Sequence, residues 1–219
     1  VEEKAIYSIE KFLVARRLMY WQVYLHKTVV ACEMMLVETL RRAKHLATDS
    51  VEVFASPALL RFLRTRHDRV SFNDPAVLAD FLKLDDHDIM GAVKVWCDHP
   101  DKVLAQLATD LVQRRNLRIR LQNIPWDDTR VAGLRGAVVD QLGISVADAS
   151  HFVLAGSIVN NAYDPAKDRI ELLYKDGSLR DIAEASDNLG IAALARPVEK
   201  WDLAWPRWLA GRCGEAEAS

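Results

Sequence analysis

Hydrophobic positions in the first 45 residues recur at intervals of mostly three, four or seven: Ile6, Ile9 and Leu13, then Val23, Val30, Met34 and Val37. That is the spacing of one face of an α-helix. From Glu2 to His45 the chain carries no Gly or Pro, the residues that usually end helices, so the pattern predicts one long helix or two helices nearly in line. Such a run would reach roughly 65 Å and act as a spine. Beside the apolar face, Arg16, Tyr20, Tyr24 and Lys27 fall at i, i+4, i+8 and i+11, within a wedge of roughly 80°. Two phenols flanked by two cations suit an anion. Packed tyrosines with wet hydroxyls, beside snorkelling cations, produce the same pattern.

Beyond His45 the punctuation is local. Ser56-Pro57 and Asn73-Asp74-Pro75 read as N-caps of two short helices, and Asp85 to Asp88 stand before a helix carrying Ile89, Val93 and Trp96. Asp98 or His99, followed by Pro100, opens a helix with Val103, Leu104, Leu107, Leu111 and Val112 on its apolar face. Leu117, Ile119 and Leu121 then alternate with Arg118, Arg120 and Gln122 as in a half-exposed strand. From here glycines become regular and segments shorten. A helix from Asp127 to Leu142 stops at Gly143, and Ser145 with Asp148 forms a capping box-like start. Strands are expected at His151–Ala155 and Ile191–Ala195, and Ile170–Tyr174 with Ser178–Ile182 reads as a hairpin on an Asp-Gly turn. The tryptophans at 201, 205 and 208 staple the tail onto the body.

The fold class is therefore mostly α with a smaller C-terminal α/β lobe. The expected division is a helical part at 1–116, the lobe at 117–210 and a tail at 211–219, with disorder confined to the final GEAEAS.

Charge narrows the partners. With 29 Lys and Arg against 31 Asp and Glu the net charge is −2, so whole-molecule attraction to nucleic acid is not expected and any polyanion site must be local. One local excess is Arg61, Arg64, Arg66, His67 and Arg69, a solvated face or a phosphate or partner contact. No run is long enough to cross a membrane and no signal peptide is visible, which points to a cytoplasmic protein. Cys32, Cys97 and Cys213 are far apart and form no CxxC, as expected of reduced thiols. His67-Asp68 and His87-Asp88 lack converging ligands, and no GK[ST] or GxGxxG is present, so neither a metal motif nor a phosphate loop is assigned to them.

The string IEKFLVARRLMYWQVYLHKTV, residues 9 to 29, resembles the helix that follows the metal-binding core of HD-domain phosphohydrolases of the deoxynucleoside triphosphate triphosphohydrolase type. Arg16, Tyr20, Tyr24 and the His26-Lys27 pair hold the matching positions. The RRNL string at 114–117 carries a second, looser likeness. The resemblance implies a metal-dependent nucleotide hydrolase in which Arg16 touches a substrate phosphate and Tyr24 packs on the sugar. Tyr20 stands where better-known members often carry a His. A phenol, with an unperturbed pKa near 10, is a poorer proton shuttle than imidazole at neutral pH. Lys4, His26, Lys27 and Arg115 would lie near a regulatory nucleotide where such a site exists. The divalent metal ligands of the family precede this helix, so the resemblance makes the chain, which begins with Val1, the C-terminal portion of a longer enzyme, inactive alone and homo-oligomeric. A non-catalytic oligomerisation module, or one that binds a nucleotide or nucleic acid, is the alternative.

Overall fold

The computed structural model describes residues 1–160, 163–164, 169–186 and 198–209. The chain divides into two compact units, each assembled from separate segments: Val1–Val30, Leu121–Pro125 and Gly156–Asp202 in one, and Ala31–Arg120, Trp126–Ala155 and Leu203–Ser219 in the other. The architecture is mostly helical with a smaller α/β portion.

In the first unit, a 3-10 turn at Glu3–Ala5 leads into α1, Ile6–Met19. Ile6, Ile9 and Leu13 face inward as their spacing predicts, packing with Tyr163, Leu172 and Ile182. Leu172 belongs to β3 (Glu171–Leu173), which pairs antiparallel with β4 (Leu179–Asp181), and Ile182 opens the short α9, Ile182–Ala185. The Asp-Gly turn of this hairpin is present, with Gly177 at φ 81°, in the left-handed region open to glycine. The chain start extends the hairpin: the Leu173 N–H donates to the Val1 carbonyl at 2.6 Å, and Glu2 bridges Leu173 in parallel.

The long helical run continues, but not as one α-helix. After α1 comes a π-helical turn at Tyr20–Tyr24, closed by the Leu25 N–H on the Tyr20 carbonyl at 2.7 Å. Leu25 leaves helical geometry at φ −98°, ψ 18°, and α2 starts afresh at Lys27–Thr48. The break shifts the helical phase. Val23 and Val37, expected on the apolar face, are exposed, while Ala31, Met35, Thr39 and Ala43 are buried together with Glu38.

The second unit holds α3 (Pro57–Arg64), α4 (Pro75–Phe81), α5 (Asp86–Trp96) and α6 (Lys102–Val112). Their caps are mostly the ones expected: Ser56, Asp74 and Asp85 each accept a backbone N–H from the first turn, and Asp85 with Asp88 completes a capping box. For α6 the cap is Asp101, not Asp98 or His99, because its carboxylate accepts the Leu104 N–H at 2.8 Å. One core gathers Ala43, Val53, Leu59, Leu63, Val93 and Trp96, and the Trp96 indole donates to the Phe54 carbonyl at 2.8 Å. A second core joins Leu107, Val138, Phe152, Leu203 and Trp205 with Trp208, so two of the three late tryptophans do anchor the end of the chain.

Strand β1 is Arg118–Gln122; α7, Asp128–Leu142, ends at Gly143 with φ 62°; α8, Val146–Ala149, is capped by Ser145. Residues 151–153 form a turn, and β2 begins only at Leu154, running to Asn160. Strand β5, Val198–Trp205, escapes the sequence reading and sits centrally in the order β1-β5-β2. The strand expected at 191–195 and the GEAEAS tail lie outside the described residues.

Charged residues tie α2 into its unit. Arg42 grips Asp101 through two bonds of 3.0 and 2.6 Å and Asp148 at 2.8 Å. Buried Glu38 meets His151 Nδ1 at 2.8 Å and Arg41 at 2.5 Å. Burial pushes the Glu38 carboxyl up, but hydrogen bonds from His151 and Arg41 outweigh it and hold the group below its ordinary 4.5. A depressed carboxylate stabilises the fold above its unfolded pKa and loses that contribution as pH falls through the native value. Glu38→Gln is therefore expected to cost about 1–3 kcal/mol at pH 7. In urea titrations run from pH 7 downward, its deficit against wild type should shrink below about pH 4.5. A deficit independent of pH would show that the charge is not what matters.

Candidate functional site

α1 has two unlike faces. Its inner face is fixed by Leu13, fully buried, and by Glu10, whose carboxylate accepts the Ser186 hydroxyl. The outer face leaves the sequence-predicted stripe in solvent. Arg16 is exposed and its guanidinium lies 5.7 Å from the Tyr20 ring centre. The Tyr20 and Tyr24 rings follow at 5.2 Å, tilted by 50°. Tyr20 is 37% exposed and Tyr24 53%, so both hydroxyls reach water. Arg16 forms no ion pair among the described residues, leaving its five donors for another acceptor.

The π turn shapes this arrangement. It carries one extra residue per hydrogen-bonded ring, so it re-aims the side chains that follow, and such turns recur at functional sites. Arg16, Tyr20 and Tyr24 come together as a ladder. Lys27 does not continue it on α-helical phase, because the helix restarts between them at Leu25–His26. His26 closes the restart: its Nδ1 accepts the Thr28 N–H at 3.3 Å and its carbonyl the Val30 N–H at 3.1 Å.

Of the other expected contacts, Lys4 is exposed and paired with Glu2 at 2.6 Å. It lines a cavity of about 630 Å³ with Glu2, Ile6, Tyr7, Leu173, Tyr174 and Lys175. The Tyr174 ring also receives the Arg180 guanidinium at 5.0 Å. The sequence reading missed Lys175, although its place in the Asp-Gly turn marked it as solvent-facing. Arg115 belongs to the second unit, beyond the end of α6; its N–H donates to the Asp110 carbonyl at 2.8 Å, and its side chain is exposed.

The His-Asp dipeptides have local partners. Asp68 accepts both the N–H and the hydroxyl of Ser71, at 2.9 and 2.7 Å, while His67 packs 4.9 Å from Phe62. Asp88 accepts the Asp85 N–H at 3.0 Å. Among the described residues, no three His, Cys, Asp or Glu side chains converge as metal ligands. The metal implied by the phosphohydrolase resemblance therefore does not fit the residues described here, and no step is routed through it. No described helix is long and apolar enough to cross a membrane.

With this geometry in hand, the comparisons with known proteins define a class first. The fold is that of a phosphohydrolase of known structure from Bacteroides thetaiotaomicron, at a TM-score of 0.83 and 50% identity over 94% of this chain. A hypothetical protein from Aquifex aeolicus shares the fold at a TM-score of 0.58 and 18% identity, over 97% of this chain and 45% of its own. In particular, the chain is similar to the uncharacterised Bacillus subtilis protein YwfO, 24% identical over 193 residues, which are 85% of this chain and 42% of that protein. It spans 52% of the Bacteroides structure, and so about half the length of these relatives. No family model matches the chain.

Two buried groups in the first unit bear on stability rather than chemistry. Tyr163 donates to Asp181, and burial followed by that carboxylate pushes its phenol to about 12. Asp202, on β5, is 1% exposed, and one carboxylate oxygen finds no partner among the described residues. Burial raises its pKa above 3.8, so the folded state retains a proton that the unfolded chain has lost. Stability from such a group is complete below the unfolded pKa and is lost as pH rises through the native one. Asp202→Asn, which keeps the shape without the charge, should raise Tm at pH 8 and leave it unchanged below about pH 3.8. Thermal melts across that range check the sign.

Proposed function

We propose that this chain is the C-terminal part of a metal-dependent nucleotide phosphohydrolase of the deoxynucleoside triphosphate triphosphohydrolase type, with the outer face of α1 as one wall of the substrate site. The observation that carries the reading is the solvent-facing ladder of Arg16, Tyr20 and Tyr24 on a helix whose opposite face is pinned by Leu13 and Glu10. The 50% identity to a phosphohydrolase supports it.

Each group has a task its chemistry suits. Arg16 gives a charge-assisted, planar hydrogen-bond pair to a phosphate. Tyr20, beside it, donates a phenolic hydrogen bond without acting as a base. Tyr24 lays an aromatic face against the sugar and tests its hydroxyls by shape. The remaining catalytic groups, the metal ligands among them, belong to the portion of the relatives that this chain does not span. The cavity beside Lys4 gives the regulatory reading its own support, because two ammonium groups and two phenol rings suit a nucleotide anion.

In the longer protein, with divalent metal and dNTPs, Arg16→Ala should lower kcat/KM by roughly ten- to hundredfold, the worth of one charged hydrogen bond. Tyr24→Ala should lower it with an altered preference between dNTPs and rNTPs. Circular dichroism separates these effects from unfolding. Silent substitutions, or no hydrolysis of dNTPs, rNTPs or phosphate monoesters, would reduce the ladder to packing and favour an assembly module.

A further inference from the structure

The second unit carries a surface that the proposed reaction does not use. Arg64, Arg66 and Arg69 are exposed and form no ion pair among the described residues, whereas Arg61 is taken up by Asp80 at 2.8 Å. Their loop is well fixed. Lys44 caps the end of α3 on the carbonyls of Phe62 and Thr65, Asp68 and Ser71 lock the turn, and His67 wedges against Phe62 and Phe72. Phe81 joins the same aromatic stack, 5.3 Å from Phe72 and 5.9 Å from Phe62, so the end of α4 lies against the basic loop.

That end of α4 is apolar and bare. Leu78, Phe81 and Leu82 follow at i, i+3 and i+4 on one face, and Leu82 is 73% exposed; Val70, beside Arg69, is 71% exposed. Four residues after Leu82, within roughly 14 Å along the chain, Asp86 opens α5 exposed and without an ion pair among the described residues. The order across this surface is cations, apolar centre, carboxylate. A surface with opposite charges on either side of an apolar centre complements itself when turned about a two-fold axis, since each residue then meets the other's counterpart.

We propose that residues 64–86 form the face on which two copies of this chain pair. Val70, Leu78, Phe81 and Leu82 meet at the centre, and the arginine loop of each copy lies against Asp86 of the other. An anionic polymer would satisfy the arginines but would leave the apolar centre uncovered and set Asp86 against like charge. A second copy answers all three features.

Sedimentation of the chain across micromolar concentrations decides the matter. A dimer is expected, weakened by high salt at its rim. Leu82→Asp should raise the dissociation constant about thirtyfold, as loss of a central contact does. The charge-swap pair keeps the test sound should that variant fold poorly: chains with Arg66→Glu and Arg69→Glu, and chains with Asp86→Arg, should each self-associate weakly yet form a heterodimer when mixed. A chain that stays monomeric, or a dimer indifferent to all these changes, overturns the proposal. So does a monomer that binds single-stranded oligonucleotide through Arg66 and Arg69, which would make the face a polyanion surface.

Discussion

A single guanidinium does much to organise the second unit. Arg42, from α2, holds Asp101 with two bonds and Asp148 with one, and each carboxylate has a second local task. Asp101 caps α6 through the Leu104 N–H; Asp148 accepts the Ser145 hydroxyl at the start of α8. Burial opposes the ionised Asp101, yet its bonds to Arg42 and Leu104 keep it ionised below its usual range. One planar, permanently charged fork can satisfy two carboxylates at once where a lysine could not. The geometry of α2, α6 and α8 is thus coupled through charges that are largely withdrawn from water. Losing one partner would leave the others buried and unmatched, the costly case for such networks.

The first unit solves a different problem with simpler means. A helix that must present polar groups outward needs a firm back, and α1 obtains one from four apolar contacts and one buried carboxylate. The hairpin beneath it is short, three residues to a strand, and is lengthened by the chain's own first residues. Arg16 and Tyr20 can therefore stay unpaired at the surface without the helix fraying toward them. A rigid back with an open front is the arrangement that lets a binding group be pre-positioned at little further entropic cost.

What the sequence made legible was local chemistry. Ser56-Pro57, Asp74-Pro75, Asp85 with Asp88, Leu142-Gly143 and the Asp-Gly turn each announce a boundary through a hydrogen bond or a backbone angle only a few residues away. The Arg16-Tyr20-Tyr24 ladder was legible for the same reason. The π turn was not, because no Gly or Pro marks it and its cause is not written in residue types. Glu38 was equally hidden: a carboxylate at a buried position makes sense only through His151, 113 residues away. Strand β5 lacked an alternating pattern because its second half, Asp202–Trp205, is buried throughout, and its tryptophans drew attention to side chains instead of backbone.

The same distinction governs how far function can be read. Arg16, Tyr20 and Tyr24 lie within eight residues, so helical geometry alone brings them together, and a resemblance in that one string has something definite to attach to. Lys4 gains meaning only when the fold sets it beside Lys175, which no spacing rule connects to it. Arg115 shows the limit from the other side: its string resembles the family, yet it belongs to a different compact unit from Lys4, His26 and most of the helix that carries the ladder. A motif confined to one helical stretch keeps its chemistry wherever that helix is placed. One assembled across units inherits it only from the arrangement, and for that reason the substrate wall on α1 carries the functional reading here, with the regulatory residues following behind it.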